Sequence, residues 1–156
     1  MLTRDDWFFF VDDALDGMIA IVEDLGDELA NTRPDLPGAN SPYALLTHCL
    51  GVVEWWAGHL VAGRPVQRDR DSEFRATGSV ADLVTRARAV RARLADDVAA
   101  ADPSAPLRNP GDPEDDHLPF NQRQGAALLH VFEELAQHRG QMELTRDVLR
   151  ARGGDR

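Results

Sequence analysis

The chain has 156 residues, 43% of them apolar, which is the length of one ordinary domain with enough apolar material for a packed core. Its formal net charge of −10 opposes both a phosphate backbone and an anionic membrane, which argues against nucleic acid and lipid surfaces as partners. No apolar run approaches the roughly 18 residues of a membrane span, Asp5 and Asp6 break the pattern of a signal peptide, and the lone Cys49 has no internal disulfide partner, so the expected location is the cytoplasm.

Four segments carry helical periodicity and none alternates with period two. The first spans about residues 4 to 30: Phe8, Val11, Leu15, Met18, Val22, Leu25 and Leu29 recur three and four apart, with Asp12, Asp16, Glu23 and Asp27 off that stripe. Thr3 with Asp6 forms a capping pattern at its start, and Asn31 through Pro34 stop it. The apolar cluster Trp7–Phe10 is either the first turn of core or a contact surface, for instance in a homodimer.

Ser41 as N-cap and Pro42 at the first helical position open the second helix, which runs through Trp55, Trp56 and Leu60 to about Gly63 and Pro65. A third begins near Ser79 and ends before Pro103, burying Val80, Leu83, Val84, Ala87, Val90, Leu94 and Val98. The fourth begins at Asn121, with Gln124 three residues on, and continues to about Arg150 before Gly153 and Gly154. Four helices with one apolar face each predict an all-α four-helix bundle, a single domain over 1–156. The connections 64–78 and 103–120 exceed the two to eight residues usual in bundles, so the first permits a crossover between helices two and three, and either can cover one end. The acidic run Pro110–Asp116 lacks EF-hand spacing and reads as a solvated loop.

The informative residues are polar ones that interrupt apolar faces. At about 100° per residue, His48 falls in line with Val52, Trp55 and His59 on the apolar side of helix two. On helix four the apolar face centres on Val131, Leu135, Met142 and Leu149; His138 lies inside that arc, Glu134 at its edge, and His130 one step further out. A carboxylate and an imidazole four apart on a helix can chelate one ion. A third ligand from a neighbouring helix leaves an open position, the pattern of catalytic zinc. His48 fits that third place, whereas His59 sits about 16 Å further along the axis. A histidine on an apolar face is also often a satisfied core residue, and a Glu/His pair four apart is often a surface ion pair. The paired Glu-x-x-His repeats of di-iron bundles and the His-Glu-x-x-His of metalloproteases are absent.

The segments Thr47-His48-Cys49-Leu50-Gly51-Val52-Val53-Glu54-Trp55-Trp56 and Leu129-His130-Val131-Phe132-Glu133-Glu134-Leu135-Ala136-Gln137-His138-Arg139-Gly140-Gln141 carry a resemblance. The chain resembles the DinB-like superfamily of metalloenzymes, which includes thiol-dependent S-transferases and the N-terminal domain of mycothiol-dependent maleylpyruvate isomerases. The resemblance covers nearly the whole chain. It implies a bundle in up-down-down-up order and a divalent metal held by His48, Glu134 and His138, the isomerase-like Glu/His variant of the helix-four pair. The isomerases carry a further C-terminal domain and this chain ends shortly after helix four, so isomerisation itself is not expected.

The chemistry implied is activation of a small, mycothiol-like thiol for transfer to an electrophile. A coordinated thiol is deprotonated, whereas a free one is only a few per cent thiolate at pH 7. Zinc is the expected metal, with nickel among the other ions that suit the site. Cys49, about 100° around the helix from His48, is expected to pack in the core. His130 is a candidate second-shell or proton-transfer group. Two alternatives share the same residues: a metal-dependent hydrolase with hydroxide in the open position, and a non-catalytic helical interaction protein.

Overall fold

The computed structural model describes residues 3–113, 117, 118 and 121–153; part of the acidic run, residues 114–116, and Gly154 lie outside the described residues. Among the described residues there are five α-helices: α1 Arg4–Ala30, α2 Pro42–Val53, α3 Arg70–Glu73, α4 Val80–Ala99 and α5 Gln124–Gly153, with a π-helical stretch Glu54–Val61 prolonging α2. The fold is an all-α bundle, with no named strand among the described residues. The short α3 and the π-helical turn are additions to the four helices read from the sequence.

Local chemistry explains the helix starts. Thr3 and Asp6 satisfy each other's backbone amides in a capping box, Ser41 accepts from Ala44 N ahead of Pro42, and Ser79 accepts from Asp82 N. Helix α1 is broken at Gly26, whose φ of 64° and ψ of 178° suit only glycine. Beyond the break Asp27 Oδ1 accepts the first amide of α4, Val80 N, at 2.7 Å. Helix α5 begins at Gln124, not at Asn121. Gln124 is pinned to the preceding connection, accepting from Asp102 N and donating to Pro106 O, and Asn121 donates to Asp112 O instead of capping the helix.

Contacts between elements set the helix directions. Trp7 Nε1 donates to Leu128 O near both helix starts, and Arg139 pairs with Asp13 and Arg150 with Asp24, so α1 and α5 run parallel. The start of α4 meets the end of α1 through Val80 and Asp27. Arg64, just past the end of α2's π-helical extension, makes a bidentate pair with Asp97 near the end of α4, so α2 and α4 run parallel. The order is therefore up-down-down-up, and the 64–78 segment is the crossover that two parallel neighbours require.

The core lies between these faces, with Leu15, Met18, Leu45, Leu50, Leu135 and Met142 fully buried. Cys49 is part of it, and burial, with Glu134 and Glu73 adding to the effect, pushes its thiol well above the usual value. The Trp7–Phe10 cluster divides: Trp7 is buried, Phe8 packs against the core, and Phe9 and Phe10 stay 67% and 48% exposed. No helix of the described residues is long and apolar enough to cross a membrane.

Candidate metal centre

His48, Glu134 and His138 come together where α2 faces α5. One ligand atom from each, a ring nitrogen or a carboxylate oxygen, lies within 4.8 Å of the other two. His48 Nε2 is 3.2 Å from Glu134 Oε2, and His138 Nε2 is 3.6 Å from the same oxygen. Ligand atoms bound tetrahedrally at about 2.0–2.1 Å stand about 3.3–3.4 Å apart, so these separations fit a zinc-sized ion with little movement.

Both imidazoles turn Nε2 toward the trio and Nδ1 away from it, toward acceptors. His48 Nδ1 is 2.9 Å from Glu73 Oε2 and His138 Nδ1 is 2.8 Å from Gln141 Oε1, both acceptors for an N–H. With a proton on Nδ1, each imidazole would turn the Nε2 lone pair inward, the arrangement metal-bound histidines adopt. Two nitrogens and a carboxylate oxygen are a donor set that suits zinc and similar divalent ions.

The electrostatics match. The neighbouring imidazoles of His138 and His48 hold the Glu134 carboxyl well below the usual range, against the burial that would raise it. Burial alone would lower the His48 imidazole, but Glu134 and Glu73 outweigh it and lift its pKa above the ordinary 6.5. Glu73, which burial would raise, is drawn down by His48 and Arg68. Set between two carboxylates, His48 holds a proton more readily than a free imidazole, and a bound ion would compete with a proton for Nε2.

The other polar residues singled out in the sequence stand apart from the trio. His59 stacks on Trp55 at 4.3 Å and its Nδ1 donates to Arg64 O at 2.7 Å, so it is a satisfied structural histidine. His130 Nδ1 pairs with Glu133 at 2.9 Å, its Nε2 lies 4.0 Å from Glu134 Oε1, and its ring meets Trp56 edge-on. It borders the outer oxygen of Glu134 and does not join His48 and His138.

Three neighbours were not read from the sequence: Glu73, Arg68 and Phe74, all from the 64–78 connection. Arg68 donates to both Glu73 oxygens at 2.8 and 2.9 Å, and Phe74 stacks on the His48 ring at 4.4 Å. A connection too long for a bundle hinted that this segment covers something. Nothing in its residue pattern tells that Glu73 meets His48.

No curated protein matches the chain. Residues 8–151, nearly all of it, match the mycothiol-S-transferase family. With an all-α bundle in up-down-down-up order, the chain belongs to that family, within the DinB-like group.

Proposed function

We propose that His48, Glu134 and His138 hold one divalent metal ion, zinc by their donor set, and that the protein uses it to join a small thiol, mycothiol or a relative, to an electrophilic carbon. The observation that carries this reading is the convergence of two Nε2 atoms and one carboxylate oxygen, with an acceptor behind each Nδ1. An ion held by these three side chains would leave a position open and would supply there the charge that lets a thiol ionise near neutral pH.

The protein's own residues do the rest. His48 is almost wholly buried, whereas the Glu134 and His138 side chains retain 21% and 16% exposure, so the substrates reach the site from the α5 side. The thiol proton passes to solvent, the sulfur forms a carbon–sulfur bond, and the leaving group departs with its electron pair. Glu134 supplies one negative charge, which leaves the sulfur more electron-rich than three neutral histidines would. Location in the cytoplasm, where low-molecular-weight thiols are kept reduced, suits this chemistry.

The test is thioether formation from mycothiol and a haloarene or epoxide by zinc-reconstituted protein. The rate should fall with a chelator, return on adding zinc, and fall in Glu134→Gln. Metal-dependent ester or amide hydrolysis without any thioether across a panel of thiols would replace this reading with hydrolysis.

A further inference from the structure

The segment between α2 and α4 reaches the same histidine from two sides. Glu73, at the end of α3, is buried and turns both oxygens to partners: Oε2 faces His48 Nδ1 and accepts from Arg68 Nη2, and Oε1 accepts from Arg68 Nε. The next residue, Phe74, covers the face of the His48 ring with the two planes 28° apart. Helix α2 is cut back to admit the carboxylate. A Cβ on Gly51, three residues after His48, would stand 2.0 Å from Glu73 Oε1 and 2.7 Å from its Cδ. A side chain at 51 would therefore displace the Glu73 carboxylate from its place between Arg68 and His48.

An imidazole can donate its Nε2 lone pair only while its proton sits on Nδ1. A carboxylate at Nδ1 fixes that tautomer and the ring's orientation, and makes the nitrogen a stronger donor. We propose that Glu73, clamped by Arg68 and admitted by Gly51, is the positioning residue that aims the His48 Nε2 lone pair at Glu134 and His138. This rests on the metal site of the preceding reading and adds to it a part contributed by the crossover.

The experiment measures zinc affinity of the full chain by competition with a chromophoric chelator, for wild type, His48→Ala, Glu73→Ala, Glu73→Gln and Gly51→Ala. It also follows the His48 Nδ1 proton by NMR of the zinc-loaded, ¹⁵N-histidine-labelled protein, with thermal melts as the check on folding. Glu73→Ala should weaken zinc about 10- to 100-fold, the usual cost of losing such a partner. Gly51→Ala should weaken it in the same direction, although it removes no polar group and favours the helix. Glu73→Gln, whose amide oxygen can still accept from Nδ1 but gives Arg68 no charge, should fall between. The low-field Nδ1 proton should persist in wild type and Glu73→Gln and disappear in Glu73→Ala and Gly51→Ala.

A purely structural role would shift the melting temperature and leave zinc affinity and the Nδ1 proton unchanged; that result overturns the proposal. If wild type binds zinc no better than His48→Ala, the metal site itself fails and the positioning role with it. If those two differ while folded Glu73→Ala and Gly51→Ala bind like wild type, the metal site stands and the positioning role falls. Should Glu73→Ala not fold, Glu73→Gln and Gly51→Ala carry the same comparison.

Discussion

Lowering the pH should weaken metal binding by a predictable amount, because the ion must displace a proton from His48. Glu134 and Glu73 flank that ring and Arg68 lies behind Glu73, and their balance lifts the imidazole above 6.5. The sign follows from competition. Above the raised value Nε2 is free and affinity is flat with respect to this group; below it, each unit of pH costs a factor of about ten, or about 1.4 kcal/mol. Two pH units below the raised value, the apparent affinity should therefore be about 100-fold weaker from this proton alone. Calorimetric zinc titrations in two buffers of different ionisation enthalpy count the protons released, and competition titrations from pH 8 down to 5.5 give the slope. An affinity that stays flat over this range, with no buffer-dependent heat, would refute the placement of His48 as a ligand between two carboxylates.

The same groups predict that the metal-free protein is most stable in mildly acid solution. Glu134 and Glu73 have depressed pKa values, so their contribution is present above about 4.5 and is lost as pH falls through the folded values; His48 is raised, so its contribution is full below 6.5 and is lost as pH rises through its folded value. Melting temperatures of chelator-treated protein should peak between those limits, and His48→Gln should remove the decline on the alkaline side. Replacing His59 by Ala should cost about 1–3 kcal/mol through the lost bond to Arg64 O and the Trp55 stacking, read by urea unfolding, while zinc affinity stays at the wild-type value. Cys49, fully buried with a raised pKa, should resist thiol reagents in the native protein and react once it is unfolded; rapid native labelling would contradict that burial.

His48 and the Glu134–His138 pair were legible because they interrupt apolar faces at helical spacing, where burial is dictated by the neighbours Val52, Val131, Leu135 and Met142. The helix starts at Thr3, Ser41 and Ser79 were legible because capping is local chemistry. What escaped is what depends on distant backbone. Gln124 opens α5 in place of Asn121 because its side chain is tied to residues 102 and 106. The π-helical stretch is nearly invisible to a periodicity count, since widening one or two turns shifts the facing of Trp55 and His59 by less than a residue's spacing. Glu73 and Arg68 lie in a segment without periodicity, so only the chain's path back across the bundle brings them to His48. Gly51, buried on α2 three residues beyond His48, is the one trace they leave in a helix.

One ion held by His48, Glu134 and His138 underlies the proposed function, and its most direct test is an anomalous-difference map at the zinc absorption edge from a crystal of the zinc-loaded protein. It should show one peak within about 2.0–2.2 Å of His48 Nε2, His138 Nε2 and a Glu134 oxygen. A peak held instead by His130 and Glu133, or no peak at the trio at all, would contradict it.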